Sequence, residues 1–153
     1  MANVSLRAVD EANHEAVAAL RVSPAQQRFV DSAANTLMEA AAHTPPPWLR
    51  AIYAGEEPVG LVMLAEHDPA GPWPYYLWRL LVDQKHQGNG YARQAMTLVV
   101  ARLRTFPDAQ ELVSSVATYG DMTDSPMGFY EGLGFVRTGE FHDHEEIIKL
   151  PLR

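Results

Sequence analysis

Residues 80–93 read Leu-Leu-Val-Asp-Gln-Lys-His-Gln-Gly-Asn-Gly-Tyr-Ala-Arg, and this stretch is more informative about the fold than any other. It joins the end of an apolar run to a glycine-rich turn, and a helical pattern of apolar residues follows directly, up to Leu103. A strand, a turn and a helix start in this order make a cradle for an anion. Glycine lets the backbone approach a ligand, and the first N–H groups of a helix lack intrahelical partners. The stretch therefore predicts a site for a phosphate or pyrophosphate.

Two glycines at this spacing do not by themselves require a bound anion. Many strand-to-helix turns contain glycine for steric reasons alone, so Gly88 and Gly90 could be purely structural. A Rossmann dinucleotide site is a poor match, because the third glycine of that fingerprint and its acidic residue at the right distance are missing.

A second motif lies at residues 129–135, Phe-Tyr-Glu-Gly-Leu-Gly-Phe, and a pattern of two strands follows it. In this order and in a chain of this length, the two motifs resemble the GNAT superfamily of acetyl-CoA-dependent N-acetyltransferases. Gln87, Gly90 and Ala92 match the three defining positions of that superfamily's (Arg/Gln)-x-x-Gly-x-(Gly/Ala) pyrophosphate loop. The resemblance extends over essentially the whole chain, and within the superfamily it is closest to bacterial spermine/spermidine-type acetyltransferases.

The resemblance implies how acetyl-CoA would be bound. In GNAT folds the strand that here ends at Val82 separates from its neighbour, so that its backbone pairs with the pantetheine amides and the acetyl oxygen. The loop that follows supplies N–H groups to the pyrophosphate, and Arg93 adds positive charge nearby. The loop of residues 119–124 departs from the family, because Thr123 stands where an asparagine usually sits. The predicted cofactor-binding residues are Leu80, Leu81, Val82, Gln87, Gly88, Asn89, Gly90, Tyr91, Ala92, Arg93 and Thr123.

Acetyl transfer to an amine needs a polarised thioester, an amine without its extra proton and a thiolate that leaves protonated. By resemblance, Tyr130 is the catalytic residue that protonates the thiolate; a core tyrosine on a short helix is the alternative. Some polyamine acetyltransferases place a glutamate base where this chain has Trp78. Glu66, on the preceding strand, is our replacement candidate for the catalytic base, ahead of Tyr76 and Asp121. The alternative for Glu66 is a solvated carboxylate at a strand end.

Composition narrows the class of protein. A chain of 153 residues with 47% hydrophobic residues is expected to form a single domain over residues 1–153. The formal charge of −7, from 12 basic and 19 acidic residues, argues against a nucleic-acid partner, whose phosphates bind Lys and Arg. The absence of cysteine excludes disulfides and thiol nucleophiles. No apolar run could span a membrane and no signal peptide is evident, so we expect a cytoplasmic protein without a membrane partner. A homodimer is left open.

Histidine and aromatic residues raise two further questions. His142-Asp143-His144 lies in a predicted turn between strands, and we interpret it as exposed and expect no metal there. Aromatic side chains could line a cleft that holds an alkylammonium chain by cation–π contact, although packing in the core would account for them as well. These residues are Trp48, Trp73, Tyr75, Tyr76 and Trp78.

The apolar periodicity and the resemblance together predict an α/β GNAT-like fold, with a mixed, mostly antiparallel central sheet flanked by helices. Helices are expected from Asp10 to about Leu20, from Ser23-Pro24 through Phe29 and Val30, around Leu37 and Met38, from the glycine turn to about Arg104, and from Ser125-Pro126 to Gly134. Strands are expected at Val4–Ala8, Leu49–Ala54, Val59–His67, Tyr75–Val82, Glu111–Ala117, Phe135–Phe141 and Glu145–Leu150.

Our leading hypothesis is an enzyme that moves an acetyl group from acetyl-CoA to a primary amine of a small cationic acceptor. A polyamine is the best candidate, because an acidic surface attracts cations at long range. Acetylation of an aminoglycoside-like drug or of a protein N-terminus are the alternatives within the enzyme class. A non-catalytic acyl-CoA-binding sensor is the competing class, because no obvious base is present.

Overall fold

Seven strands form one sheet with the order β1-β2-β3-β4-β5-β7-β6. The computed structural model describes residues 3–118 and 120–153. Every pair of neighbours is antiparallel except β4 and β5, which run parallel. The strands are β1 (Val4–Arg7), β2 (Trp48–Ala54), β3 (Glu57–Glu66), β4 (Tyr75–Val82), β5 (Glu111–Ala117), β6 (Val136–His142) and β7 (Glu145–Pro151).

Helices cover both faces of the sheet. Successive side chains of a strand point to opposite faces, and the core accordingly divides into two clusters. One face packs against the third and fourth helices, and the other packs against the first two. No helix in the described part of the chain is long and apolar enough to cross a membrane. The α-helices are α1 (His14–Ala18), α2 (Ala33–Ala42), α3 (Tyr91–Leu103) and α4 (Met127–Leu133), and 3₁₀ turns lie at Pro24–Gln26 and Gln84–His86.

The parallel strands β4 and β5 separate soon after they meet. Within the described residues they share one ladder pair, Tyr76 with Val113, and the Ser114 hydroxyl then donates a 3.0 Å hydrogen bond to the carbonyl oxygen of Leu77. Beyond that point residues 80–82 of β4 pair only with β3. A bulge leaves Trp78 unpaired in the β3–β4 ladder. The free edge of β4 that results is the separation expected from the sequence.

The predicted α/β fold is confirmed, while two helix starts differ from expectation. The predicted start at Asp10 was wrong, because its carboxylate accepts hydrogen bonds from the N–H groups of Ala12 and Asn13 and so closes a turn. α1 begins only after that turn. The capping box at Ser23 forms, but it opens a single 3₁₀ turn, and α2 has its own cap at Ser32, whose hydroxyl accepts from the N–H of Asn35.

Candidate active site

A cavity of about 970 Å³ opens where β4 and β5 separate. Its walls come from β4, β5, the start of β7, the loop before α3, the N-terminal part of α4 and residues 26–31. Most of the residues predicted from the sequence meet there, although they lie up to fifty positions apart. Those that line the cavity are Leu80, Leu81, Val82, Gln87, Gly88, Gly90, Tyr91, Ala92, Arg93 and Tyr130.

The start of α3 is an anion-binding cradle. Gly90 occupies the cap position with φ of 77°, and no side chain caps the helix. The first intrahelical bond there runs from the N–H of Gln94 to the carbonyl of Gly90, so the N–H groups of residues 91–93 have no intrahelical acceptor. A Cβ placed on Gly88 would meet no atom within 4 Å, so open space adjoins this backbone. Such a terminus suits a pyrophosphate, and Arg93 at the same wall adds a positive charge.

Hydrogen bonds within the protein hold this loop in place. The carboxylate of Asp83, which is 8% exposed, accepts from the N–H of Arg21 at 2.8 Å. The side chain of Gln87 donates to the carbonyl of Val82 at 2.9 Å and to Oε1 of Gln26 at 2.8 Å. Gln87 therefore ties the loop to the end of β4 and to the 3₁₀ turn at Pro24–Gln26. The sequence carried no signal for the distant partners Arg21 and Gln26.

Two predicted cofactor-binding residues lie outside the cavity lining. The side-chain amide of Asn89 donates to the carbonyl of His86 at 3.0 Å and so closes the loop on itself. Thr123 is exposed, and its N–H and hydroxyl both donate to Oδ1 of Asp121, at 2.9 and 2.6 Å. Tyr119, in the same predicted pantetheine loop, lies outside the described residues. The part of the loop that does line the cavity is Asp124, Ser125 and Pro126.

The candidate base Glu66 is also outside the cavity lining. Arg102 of α3 binds both of its carboxylate oxygens, with Nη2 at 3.0 Å from Oε1. The guanidinium in turn lies over the ring of Trp48, 4.2 Å from the ring centre, and 5.0 Å from the centre of Phe106. A carboxylate that is held this way stabilises the packing of α3 on the sheet and has no access to an acceptor amine. This geometry argues against the base that we expected.

Tyr130 lies on α4 and is part of the cavity lining. The residue is 8% exposed, and its ring packs edge-on against Phe129 and Phe135 at centroid distances of 5.3 and 5.4 Å. Burial, with a smaller effect of nearby Tyr76, raises the pKa of Tyr130 well above its ordinary value. The hydroxyl is protonated at neutral pH, as in an ordinary tyrosine, and the raised pKa extends this to more alkaline pH. Among the described residues, no hydrogen bond occupies it.

The expected aromatic cleft is smaller than the sequence suggested. Tyr76 and Trp78 line the cavity, whereas the other three aromatic residues do not. Trp73 stacks on the Tyr76 ring at 5.5 Å, Tyr75 is hydrogen-bonded elsewhere, and Trp48 covers the ion pair of α3. The sequence could not separate these roles, because all five residues are aromatic and close to strands.

Charged residues of both signs surround the cavity. Arg79 forms ion pairs with Asp31 at 3.3 Å and with Glu39 at 2.8 Å, so two carboxylates share one guanidinium and the group keeps a net negative charge. At the β7 side the lining includes Asp143 and Glu145, next to the exposed turn that was predicted for residues 142–144. This acidic side of the cavity suits a cationic group.

Comparisons with known proteins identify a matching family. The model of the acetyltransferase (GNAT) family matches residues 6–135. N-acetyltransferase family 8 member 2 of Rattus norvegicus is 30% identical over 90 residues, which are 58% of this chain and only 38% of that protein's length.

Solved structures show the same fold at low identity. Spermidine N-acetyltransferase from Vibrio cholerae, in complex with CoA and spermine, is 18% identical, with a TM-score of 0.67 over 97% of this chain and 95% of that chain. Ribosomal-protein-S18-alanine N-acetyltransferase from Escherichia coli is 15% identical, with a TM-score of 0.65 over 99% of this chain and 94% of that chain. The names of these two proteins state acceptors of different chemistry, spermidine and a ribosomal-protein alanine. The fold by itself therefore does not select the acceptor.

Proposed function

The chain belongs to the acetyltransferase (GNAT) family, and we propose that it transfers the acetyl group of acetyl-CoA to a primary amine of a small cationic acceptor, a polyamine first among these. One observation carries this proposal. A single cavity is lined both by the start of α3, whose first N–H groups fit a pyrophosphate, and by Tyr130, whose hydroxyl can serve a departing thiolate. The backbone that would bind the cofactor and the residue that would protonate the thiolate therefore line the same cavity.

The cofactor-binding residues act through their backbone. N–H groups of residues 91–93 bind the pyrophosphate, and Arg93 contributes charge beside it. Because the N–H of Asp83 donates to Val59 of β3, alternation along the strand turns the backbone groups of Leu80 and Val82 to the free edge of β4, where they offer hydrogen bonds to the pantetheine amides and to the thioester oxygen. When it is bound, acetyl-CoA supplies an activated acetyl group as a thioester. The carbonyl of Val82 already accepts from Gln87, so Val82 offers the ligand its N–H.

Tyr130 serves as the general acid. Its hydroxyl is protonated at neutral pH, as in an ordinary tyrosine, and burial raises its pKa further. Burial makes the phenol a weaker acid, and the same surroundings make a departing thiolate a stronger base, so the two effects oppose each other. The hydroxyl needs no rearrangement to donate, since no described protein group holds it.

The choice of acceptor is supported by charge. The chain carries a formal charge of −7, and Asp143 and Glu145 are part of the cavity wall. A polycation is drawn toward such a surface, and its chain can pack on Trp78 and Tyr76. Trp78 replaces the glutamate that some polyamine enzymes use, which keeps aminoglycoside-like amines and protein N-termini as the alternative acceptors.

A panel of acceptors tests this proposal. Spermidine, spermine, an aminoglycoside and a short peptide with a free N-terminus are compared by the rate of CoA thiol release, at low salt and at high salt. We expect polyamines to give the highest kcat/KM, and we expect added salt to reduce it, since long-range attraction is screened. Faster acetylation of the peptide or the drug would overturn the polyamine assignment. Binding of acetyl-CoA without thiol release for any of the four acceptors would favour the sensor alternative.

A further inference from the structure

Three hydrogen-bonded side chains form a row along the wall of the cavity. The Tyr76 hydroxyl lies 2.6 Å from the Oγ atom of Ser115, and Ser115 Oγ lies 2.7 Å from Oε1 of Glu145. All three residues line the cavity. They come from β4, β5 and β7, which are consecutive neighbours in the sheet, so the row crosses the strands at one level. It leads from the site beside Tyr130 to an exposed carboxylate.

Chemistry fixes the direction of these hydrogen bonds. An ionised carboxylate only accepts, so the Ser115 hydroxyl must donate to Glu145. The hydroxyl has one proton, so Tyr76 must donate to Ser115. The oxygen of Tyr76 is then left with acceptor capacity and no proton to offer to the cavity. A group that binds there must be a donor, as an ammonium is.

We propose that Tyr76, Ser115 and Glu145 form a proton relay that deprotonates the acceptor's ammonium group before acetyl transfer. The inference rests on the proposed function and supplies the base that Glu66 does not provide. An N–H proton moves to Tyr76 Oη as the tyrosine proton moves to Ser115 and the serine proton moves to Glu145. Glu145 then releases the proton to solvent. Tyr76 touches the substrate, while Ser115 and Glu145 are positioning residues that act through it.

The remaining steps balance with this transfer. The neutral amine forms the N–C bond to the acetyl carbon, and the C–S bond breaks. The thiolate takes a proton from Tyr130, which regains one from the nitrogen as the amide forms. One of the three ammonium protons has then left through Glu145, one has replaced the proton of Tyr130, and one remains on the amide. The overall reaction releases a single proton.

A stacking contact with Trp73 also holds the Tyr76 ring in position. The two rings stack at 5.5 Å with an angle of 16° between the planes. Burial raises the pKa of Tyr76, although its hydrogen bond with Ser115 acts in the opposite direction, and the phenol is protonated at neutral pH. Arg79 on the same strand acts in the opposite direction and limits the rise. A fixed, protonated phenol is what a relay of this kind requires.

Other titratable groups face the relay and would complicate a pH profile. Tyr130 of α4 and Arg79 of β4 interact with Tyr76. On the β7 side, His142 pairs with Glu145 in the β6–β7 ladder, and Asp143 and His144 precede it in the turn. The most informative variant therefore breaks the relay without changing any of these groups. Ser115→Ala does so, because serine does not titrate.

The experiment measures kcat and KM for spermidine, or for the best acceptor of the panel, from pH 6.5 to 10.5. Ser115→Ala should lose about tenfold or more in kcat at neutral pH, and the loss should shrink toward pH 10, where the amine is increasingly neutral. Ser115→Thr keeps the hydroxyl and should restore much of the rate. Glu145→Gln should resemble Ser115→Ala, while Glu140→Gln, at an exposed site outside the cavity lining, should behave as wild type.

The outcomes separate the relay from the proposed function. Wild-type protein that acetylates no amine contradicts the proposed function itself. Active wild type with an unchanged kcat and pH profile in Ser115→Ala overturns the relay alone. A raised KM with unchanged kcat in Glu145→Gln also overturns it, because the carboxylate then only attracts the cation. Acetyl-CoA affinity by calorimetry should equal that of wild type in each variant.

Discussion

The side-chain amide of Gln87 donates a 2.9 Å hydrogen bond to the backbone carbonyl oxygen of Val82. The same nitrogen lies 2.8 Å from Oε1 of Gln26. One side chain thus ties the anion-binding loop to the last residue of β4 and to the segment before α2. The loop is therefore shaped by the protein's own hydrogen bonds, and its binding of an anion requires little further ordering.

Substitution of Gly90 tests the cradle. Gly90→Ala places a methyl group beside the free N–H groups and strains a backbone with φ of 77°. Gly55→Ala is the matched control, since Gly55 has φ of 61° in the β2–β3 turn, outside the cavity lining. We expect calorimetry to show acetyl-CoA affinity weakened about tenfold or more in Gly90→Ala and unchanged in Gly55→Ala. Equal affinities in the two folded variants would contradict the cradle.

Removal of the Tyr130 hydroxyl tests the general acid. Tyr130→Phe keeps the ring that packs on Phe129 and Phe135, so the fold should be retained. We expect kcat to fall at least about tenfold, with acetyl-CoA affinity unchanged. Tyr53→Phe, which removes a hydroxyl outside the cavity, should leave kcat at the wild-type value. Normal turnover in Tyr130→Phe would leave this tyrosine as a core residue only.

Glu66→Gln tests the assignment of Glu66 to packing. The substitution removes the charge that pairs with Arg102, which is partly buried between two aromatic rings. We expect kcat to remain at the wild-type value, while the free energy of unfolding falls by about 1–3 kcal/mol. Denaturation and steady-state kinetics on the same preparation measure both quantities. A large loss of kcat with unchanged stability would restore Glu66 as a catalytic base.

Acid should weaken the edge of the sheet through Glu146. This buried carboxylate accepts from Arg137 at 2.7 Å and from the N–H of Gly139 at 3.2 Å, and the Arg137 bond holds its pKa below the ordinary value of 4.5. The unfolded chain binds this proton more readily, so the contribution to stability is full above about pH 5 and is lost as the pH falls through the folded pKa. Melting curves of Glu146→Gln should show lower stability at neutral pH and a flatter decline toward pH 3. A decline parallel to that of wild type would contradict this account.

The sequence predicted the features that depend on neighbouring residues. Residues 80–93 contain a strand end, a glycine turn and a helix start in one continuous segment, and the structure places them as expected. Gly134 ends α4 with φ of 108°, again a local property. The two motifs, at residues 80–93 and 129–135, also resembled a known fold, and the structure confirms that fold.

Features that depend on distant partners could not be predicted. Glu66 was assigned by its place at a strand end, but its partner Arg102 lies 36 positions away. Ser115 and Glu145 gave no local signal, because their relation to Tyr76 follows from the order and register of β4, β5 and β7. At Ser23 a correct capping box opened only a 3₁₀ turn, since the turn that follows ends the helix before Ser32 begins the next.

The proposed function requires that one cavity both binds acetyl-CoA and transfers its acetyl group to an amine. The most direct measurement is thiol release by the wild-type protein with acetyl-CoA and the amine panel, with acetylated amine counted by mass spectrometry in the same samples. We predict amine-dependent release with one acetylated amine per thiol. Saturable binding of acetyl-CoA without amine-dependent release for any member of the panel would contradict the account.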